Sequence, residues 1–531
     1  MNSKFLKSCE WIVVILLSTV ALSFLFVRAT HAGALWRDEA ATLQLAQMPM
    51  VGDIEANFQH EAFPIPFPLL IRAYVGVFGA SDASLRWFGF AIGVALLAAA
   101  WFNSRALDDR GPFLLLSLFS LNATFLLWGT SLRGYGIGCV FLLLAIGLTA
   151  KAICQPTRAN AIAATVAAIG STQFMINAVP LIAGIAASAI IVFAVQREFR
   201  KAGIVCLCVT LCALLFVPYL PSYFSADWNI VLKFPTDLAS LWPKLHSAIT
   251  EGASGFLWYL APPVIIVAAI WRLWRLRGEQ SSVDYRLLLF LTCVPIFSIF
   301  AYYAFLKILS YATRPWYYLP LLCAVASAID LAAGIMSRMK SFRVARLAFT
   351  IAAAVLLPAT SWNIAHDRLT DIDIVARKLE QEAAPNDLIV VNPWHYAPSF
   401  YRYYHGATHW ITVPTMSEHR VHRYDLIKSK MVETDPLNDI RSSIQQTLQS
   451  GHRVWIVGGA RPPEPGLPLS IQPAPDPEFG WLGQAYVNIW SMQLADFLQK
   501  HVVQGTIALS PNEKVNPDEN IALLVARGWQ E

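Results

Sequence analysis

Eleven long apolar segments fill the first 363 residues of this chain, and they limit its fold more than any other feature. A helix needs about 20 apolar residues to cross the hydrocarbon core of a bilayer. Segments of about that length occur at 10–29, 84–103, 112–130, 134–152, 158–174, 177–195, 202–220, 256–272, 286–306, 316–336 and 345–363. We therefore predict a membrane all-α fold of about 11 transmembrane helices over residues 1–363.

The composition agrees with a membrane protein rather than a soluble one. Hydrophobic residues make up 56% of the 531 residues, charged residues make up 14%, and the mean hydropathy is +0.48. Soluble domains carry roughly 25% charged residues, so these values exclude a disordered chain and a wholly soluble enzyme. The net charge of +5 is small and the basic residues flank apolar segments, so no nucleic-acid partner is expected.

The basic residues indicate how the predicted helices are oriented. With a cytoplasmic N-terminus, every inner segment carries at least two Lys or Arg residues, and the last two, 272–286 and 338–346, carry four each. This alternation follows the positive-inside rule. An odd number of crossings then places residues 364–531 outside the cytoplasm, so we expect a multi-pass protein of the inner (plasma) membrane.

The first apolar segment allows a second interpretation, because Ala29-Thr30-His31-Ala32 is compatible with a signal-peptide cleavage site. The apolar stretch 11–27 is long for a signal peptide, which favours a retained membrane anchor. Both interpretations give the same arrangement of the later helices.

Residues 364–531 have the sequence pattern of a soluble α/β domain. Segments 388–391 and 454–457 are continuous apolar runs typical of buried strands, and 502–509 with 521–526 suggests a strand pair. Helices are predicted at 373–382 and 440–449. We expect an extracytoplasmic domain over 364–531, following a transmembrane domain over 1–363 whose outer segment 30–83 carries juxtamembrane helices.

Two adjacent carboxylates follow the first apolar segment, in Leu35-Trp36-Arg37-Asp38-Glu39-Ala40. In one interpretation they are solvated charges that mark the end of the membrane-crossing helix. In the other, one of them is a general base, held where a lipid-borne substrate meets an acceptor that arrives from water. The residues alone leave both interpretations open.

Five short motifs occur in an order that resembles the GT-C integral membrane glycosyltransferases, above all the bacterial lipid A aminoarabinose transferases and the protein O-mannosyltransferases. The motifs are Trp36-Arg37-Asp38-Glu39-Ala40, Leu69-Leu70-Ile71-Arg72, the segment 78–86 that ends in Leu85-Arg86, Ser131-Leu132-Arg133-Gly134-Tyr135, and Arg314-Pro315-Trp316-Tyr317-Tyr318-Leu319-Pro320-Leu321. One departure is Phe63, which stands where relatives often have a histidine, so either His60 or Glu61 takes over that role or the role is absent here.

The resemblance implies transfer of a sugar from a polyprenyl-phosphate donor to a lipid, glycan or protein acceptor on the outer face of the membrane, with inversion at the anomeric carbon. In that reaction Asp38 would be the general base, because a positioned carboxylate can take the acceptor proton. Glu39 would orient the acceptor or bind a metal ion. A divalent cation is the only cofactor that this leaves open.

Three basic residues lie at predicted outer boundaries, where the positive-inside rule disfavours them: Arg133, Lys307 and Arg314. A lipid phosphate departs as an anion and is stabilised by cations, so we predict that all three bind the donor phosphate. The alternatives are snorkelling from a helix end and pairing with an outer carboxylate such as Asp227.

Aromatic and polar residues near these cations are predicted to line the sugar or lipid pocket: Tyr135, Trp316, Tyr317, His60 and Glu61. Aromatic residues at a membrane boundary are equally well explained as an interfacial belt. Further histidines occur in the tail at His395, His405, His409, His419 and His422. They lie among loop signals without any cysteine, which favours exposed or hydrogen-bonded histidines over metal ligands.

Three other classes of protein share some of these features. An O-antigen ligase or polymerase acts on similar lipid-linked glycans, but segment 221–255 contains only Lys233, Lys244 and His246 as basic groups. A transporter or flippase predicts ionisable residues near the middle of the membrane, whereas the apolar segments here are nearly free of charge. The third class is a catalytically inactive relative that binds a partner through its tail.

The predicted orientation can be tested by labelling from outside the cell. Native cysteines end at Cys323, so a single cysteine introduced within 364–531 is easily distinguished from them. A membrane-impermeant maleimide should label it in intact spheroplasts. Labelling that requires permeabilised membranes would overturn the orientation.

Overall fold

The computed structural model describes residues 3–61, 63–107, 111–234, 236–250, 254–310, 312–464, 466 and 468–531. The chain up to residue 366 is a bundle of helices, and the tail that follows combines helices with a five-stranded sheet. The helices of the bundle are α1 (Ser3–His31), α2 (Arg37–Ala46), α3 (Val51–Asn57), α4 (Pro66–Phe78), α5 (Asp82–Leu107), α6 (Phe113–Leu115), α7 (Gly134–Cys154), α8 (Arg158–Phe174), α9 (Val179–Val195), α10 (Phe199–Leu214), α11 (Leu220–Ser225), α12 (Trp228–Val231), α13 (Leu238–Thr250), α14 (Ser254–Arg275), α15 (Val283–Leu309), α16 (Leu319–Met336) and α17 (Lys340–His366). The elements of the tail are α18 (Ile372–Glu382), β1 (Leu388–Val391), α19 (Ala397–Tyr403), β2 (His409–Thr412), α20 (Tyr424–Met431), α21 (Asn438–Gln449), β3 (Val454–Val457), α22 (Gly483–His501), β4 (Val502–Leu509) and β5 (Leu523–Trp529).

Eight helical segments in the described part of the chain are long and apolar enough to cross a membrane. Each coincides with a predicted segment, and together they confirm a mostly helical membrane protein. They contain α1, α5, α7, α9, α10, α14, α15 and α16. The predicted number of about 11 crossings is not confirmed, because three predicted segments are not among these eight.

The predicted segment 112–130 is not a continuous helix. It begins as α6 and continues as two π-helical stretches, Leu116–Ser120 and Phe125–Gly129, with a turn between them. At the turn the Asn122 amide donates to the Ala248 carbonyl in α13 (3.1 Å), and the Ser361 hydroxyl of α17 donates to the Leu121 carbonyl (2.7 Å). A hydroxyl of a neighbouring helix thus satisfies the Leu121 carbonyl at the break, and Asn122 Oδ1 accepts a hydrogen bond from the Phe125 N–H (3.1 Å).

The other two segments are continuous helices. α8 has 17 residues, which gives a length of about 26 Å at 1.5 Å per residue, slightly less than the roughly 30 Å of a bilayer core. Segment 345–363 lies within the 27 residues of α17.

The tail folds around a mixed sheet with strand order β2-β1-β3-β5-β4. β2, β1 and β3 are parallel, β5 pairs antiparallel with β3, and β4 pairs antiparallel with β5. β1 and β3 are buried at every position, as continuous apolar strands in a covered parallel sheet require. β2 and the 19-residue α22 have no counterpart in the sequence predictions.

The tail contacts the part of the bundle between α1 and α5, which the sequence analysis predicted as the outer segment 30–83. Arg402 and Tyr403 of α19 both bind the carboxylate of Asp82 at the start of α5, each at 2.8 Å. The Tyr403 hydroxyl oxygen also accepts a hydrogen bond from the Leu35 N–H (2.7 Å). α19 is therefore held beside the beginning of α2, the helix that carries the two adjacent carboxylates.

A buried ion pair fixes α2 to the bundle. The Glu39 side chain is fully buried, and its Oε1 accepts hydrogen bonds from Arg86 Nη1 and from the Leu132 N–H, both at 2.7 Å. Its Oε2 accepts a third bond from the Trp36 N–H (3.3 Å), which satisfies a free donor at the helix start. Glu39 therefore acts as a clamp, and Asp38, about 100° away around the helix, faces elsewhere.

A second buried carboxylate ties α2 to the tail. Glu519 accepts hydrogen bonds from the Arg37 N–H (2.7 Å), the Ser399 hydroxyl (2.6 Å) and the Thr370 hydroxyl (3.1 Å). Burial raises the pKa of Glu519 to about 7, although the Arg37 charge and these hydrogen bonds oppose the rise. The first turn of α2 is thus bound by one carboxylate from within the helix and by another from the tail.

Replacing Arg86 with methionine should destabilise the protein strongly, because it leaves the Glu39 carboxylate buried without its cation. Removing one partner of a buried pair typically costs about 3–5 kcal/mol, and we expect a loss of that size in the free energy of unfolding, measured by thermal unfolding in detergent. As a control, Arg377→Met breaks a pair whose arginine is 65% exposed and should cost about 1 kcal/mol or less. Equal losses would contradict a clamp at Glu39.

The raised pKa of Glu519 predicts a pH-dependent stability. Because its pKa is higher in the folded than in the unfolded chain, its contribution is present at pH 5 and is lost as the pH rises through about 7. The free energy of unfolding should fall by ~2–3 kcal/mol between pH 5 and pH 8. The Glu519→Gln variant, unfolded at pH 5 and at pH 8, should lose most of this difference in the free energy of unfolding. An unchanged difference would show that other groups cause it.

Candidate active site

A cavity of about 350 Å³ lies where the bundle meets the tail, and we call it the Asp38 cavity. The bundle supplies the start of α2, the segments before α4 and α9, the start of α7, the ends of α8 and α15, and the stretch 216–232 with α11 and α12. The tail supplies the segment that leads into α20. The polar lining includes Asp38, His60, Glu61, Arg133, Asn177, His422 and Tyr424.

The cavity opens on an apolar surface. Its apolar lining includes Phe216, Leu220, Phe224, Phe305, Ile308 and Leu309. Phe224 and Ile308 are 78% and 80% exposed, so their side chains face both the cavity and the surroundings of the bundle. An apolar chain can therefore reach the polar end of the cavity from the membrane.

Asp38 lies at the polar end of the cavity, with its side chain 21% exposed. Its Oδ1 is 3.4 Å from Arg37 Nε and 3.8 Å from His422 Nε2. Burial raises the pKa of Asp38, but the positive charges of Arg133 and Arg37 outweigh that effect and hold the pKa below its usual value. Asp38 is therefore ionised at neutral pH and can accept a proton.

Glu61 joins the bundle to the tail inside the cavity. Its Oε2 accepts a hydrogen bond from Arg133 Nη1 (2.9 Å), and its Oε1 accepts bonds from His422 Nδ1 (2.8 Å) and from the His422 N–H (3.1 Å). Because a carboxylate only accepts, the network assigns the ring hydrogen to Nδ1. His422 Nε2 is then left as an acceptor that faces Asp38.

Arg133 caps the start of α7 and holds α2 against it. Besides Glu61, Nη1 donates to the Thr42 hydroxyl (3.0 Å) and to the Asp38 carbonyl (3.3 Å). The guanidinium carbon lies 4.8 Å from the centre of the Phe63 ring, so Phe63 supports the arginine by a cation–π contact. The next residue is glycine because a Cβ at Gly134 would lie 2.1 Å from the Phe174 carbonyl oxygen.

Three further residues predicted for the pocket also line this cavity: His60, Tyr135 and Tyr317. The Tyr135 and Tyr317 rings lie 6.4 Å apart. His60 Nδ1 is 3.9 Å from Asp425 of the tail. Burial lowers the pKa of His60, and the negative charge of Asp425 only partly offsets this effect.

Four predicted site residues lie outside the cavity lining. Glu39 is committed to Arg86, and Trp316 packs in an aromatic cluster with Trp128 (4.4 Å between ring centres) and Trp36 (5.6 Å). Lys307 and Arg314 are exposed. Arg314 nevertheless acts on a residue of the tail. Burial holds the pKa of His395 well below its usual value, and the positive charges of Arg37, His422 and Arg314 lower it further.

His422 and Tyr424 are the two lining residues from the tail, and the sequence analysis did not assign them to a site. His422 was grouped with four other tail histidines as exposed or hydrogen-bonded, and it is indeed buried and hydrogen-bonded. Its partner Glu61 is 361 residues away along the chain, so no local spacing could connect them. The only signal was the density of histidines between 395 and 422.

The arrangement combines an ionised carboxylate, a histidine beside it, and an arginine paired with a second carboxylate. This combination can accept a proton and hold an anion near one another. Within the described ranges, no group of three or more His, Cys, Asp or Glu side chains is placed to hold a metal ion. The Glu39 oxygens, which were expected to orient an acceptor or bind a metal, are occupied by Arg86, Leu132 and Trp36.

Comparison with known proteins gives a match in structure only. No family model and no curated protein matches the sequence. ArnT from Cupriavidus metallidurans in the apo state superposes with a TM-score of 0.53 at 12% identity, and covers 96% of this chain and 97% of its own. The same protein bound to undecaprenyl phosphate gives a TM-score of 0.50 at 10% identity, with the same coverage.

A second enzyme gives a similar result. The oligosaccharyltransferase of Archaeoglobus fulgidus in the apo form has a TM-score of 0.50 at 11% identity, and the match covers 86% of this chain and 70% of the archaeal one. ArnT and the archaeal enzyme are both GT-C glycosyltransferases. The chain thus has the fold of these GT-C membrane glycosyltransferases, which confirms the fold that the sequence resemblance implied.

Proposed function

We propose that this protein is a glycosyltransferase that moves a sugar from a polyprenyl-phosphate-linked donor to an acceptor on the outer face of the membrane. The main support is the position of Asp38, an ionised carboxylate in a cavity that opens on an apolar surface. ArnT, which shares the fold, has been crystallised with undecaprenyl phosphate. That complex supports a polyprenyl phosphate as the carrier here.

The donor phosphate is assigned to the cations around the cavity. Arg133 lines the cavity, but its charge is balanced by Glu61 at 2.9 Å. Lys307 and Arg314 are exposed at the end of α15 and before α16, and they supply the extra positive charge that a departing phosphate needs. The isoprenoid chain then lies along Phe224 and Ile308, and the sugar lies near Tyr135 and Tyr317.

Asp38 acts as the general base in this proposal. The acceptor oxygen bonds to the anomeric carbon while the bond from that carbon to the phosphate oxygen breaks, and its electron pair leaves with the phosphate. Attack from the side opposite the phosphate inverts the anomeric carbon. The hydroxyl becomes strongly acidic as the new bond forms, so a carboxylate with a low pKa can take the proton late in the reaction.

His422 gives the proton a further path. Its Nδ1–H is bound to Glu61, so its Nε2 is free to accept a hydrogen from Asp38. The distance of 3.8 Å between His422 Nε2 and Asp38 Oδ1 is longer than a hydrogen bond. Catalytic contacts of this kind commonly shorten once substrate is bound. The tail therefore contributes a group to the reaction as well as covering the cavity.

Replacing Asp38 with asparagine should lower the rate of transfer about 100-fold or more, because general-base catalysis typically contributes 10²–10⁴-fold. Membranes containing the protein and envelope acceptors are incubated with a panel of undecaprenyl-phosphate-linked sugars. The undecaprenyl phosphate that is released is measured by mass spectrometry. A variant of normal abundance that keeps most of the activity would exclude Asp38 as the base.

Asp53→Asn is the matched control. Asp53 also lies in the first turn of an outer helix, where its side chain caps the Met50 N–H (2.9 Å), but it does not line the cavity. It should retain transfer within a few-fold, and loss equal to that of Asp38→Asn would point to a general effect on the outer segment. A parallel reaction with EDTA tests whether a divalent cation takes part.

A further inference from the structure

A second cavity, of about 790 Å³, lies between α8 and α10 and is also lined by α7 and α9. We call it the lateral cleft. Its walls are largely apolar, and some face outward: Ile162 and Leu207 are 63% and 69% exposed. The candidate span Phe199–Ser225 contains α10, and only 11% of its most hydrophobic 18-residue stretch is buried within the protein. We expect an apolar surface of this extent on a membrane helix to contact the acyl chains of lipids.

One end of the lateral cleft is cationic. Arg158 begins α8, Arg200 and Lys201 lie in the first turn of α10, and all three line the cleft. Glu198 pairs with Lys201 (2.9 Å) and lies 3.7 Å from Arg286. Glu198 is thus shared between Lys201 and Arg286. The exposed guanidinium groups of Arg158 and Arg200 therefore give this end of the cleft a net positive charge.

The cationic end lies far from the Asp38 cavity. Arg158 and Phe174 are the two ends of α8, and Phe174 lines the Asp38 cavity. At 1.5 Å per residue the two ends are about 24 Å apart, which is most of the thickness of a bilayer core. The lateral cleft therefore presents its charge at the opposite membrane face, the cytoplasmic face in the predicted orientation.

We propose that the lateral cleft is a binding site for one anionic glycerophospholipid of the cytoplasmic leaflet, with its acyl chains between α8 and α10 and its headgroup phosphate against Arg158 and Arg200. The apolar walls match acyl chains, and the two arginines match a headgroup with net negative charge. A zwitterionic lipid offers the same chains without that charge. A polyprenyl-phosphate donor held there would have its phosphate at the face away from Asp38.

A bound phospholipid would contact helices that also line the reaction cavity. The lipid fills the cleft between α8 and α10. The far end of α8 carries Phe174, and the span of α10 continues to Leu220 and Phe224, all of which line the Asp38 cavity. The site is independent of the proposed activity, because it concerns lipid binding at the other membrane face.

The proposal is tested by lipid titration of the purified protein in detergent. Native mass spectrometry counts bound phosphatidylglycerol or phosphatidylcholine at increasing lipid concentrations. We expect one phosphatidylglycerol to bind in preference to phosphatidylcholine. The double variant Arg158→Gln/Arg200→Gln should weaken that binding about thirtyfold, given the usual contribution of each basic residue near an anionic headgroup.

Two further variants make the result specific. Arg272→Gln/Arg277→Gln removes the same charge at the end of α14, outside the cleft, and should leave phosphatidylglycerol binding unchanged. Ala164→Trp places a bulky side chain in the cleft while Arg158 and Arg200 are kept. It should weaken phosphatidylglycerol binding. Equal affinity for both lipids, an equal loss in both arginine pairs, or displacement of phosphatidylglycerol by undecaprenyl phosphate would overturn the proposal.

Discussion

The buried carboxylate of Glu39 is the contact on which the rest of the site depends. Its oxygens bind Arg86, the Leu132 N–H and the Trp36 N–H, so one side chain joins α2 to α5 and to the segment before α7. A charge without solvent is tolerated only when it is paired and hydrogen-bonded. That requirement fixes the rotation of α2, and the rotation directs Asp38 into the cavity.

The cavity is a joint product of the bundle and the tail. Glu61 is held by Arg133 from the bundle and by His422 from the tail, while Arg402 and Tyr403 secure the tail at Asp82. The polar groups are thus assembled where the bundle meets the tail, and Phe224 and Ile308 line the apolar opening. This division suits a reaction that joins a lipid-borne group to a partner from water.

Features that depend on neighbours in sequence could be predicted, and features that depend on distant residues could not. Apolar runs gave the eight observed spans and strands β1 and β3, because burial and length are local properties. Placing Asp38 required only its position after α1. The different roles of Asp38 and Glu39 depend on Arg86, and the role of His422 depends on Glu61, so pattern alone could not assign them. The break at Asn122 could not be predicted either, because the contacts that hold the turn are made with Ala248 and Ser361, far along the chain.

That break also ties distant parts of the chain together. The Leu121 carbonyl is bound by Ser361, 240 residues further along the chain, and the Asn122 amide is bound to the Ala248 carbonyl, 126 residues further along. Lipid offers no hydrogen bond to a carbonyl or amide group, and these two partners are synthesised long after the turn itself. The polar contacts of the turn can therefore be complete only once α13 and α17 have been inserted.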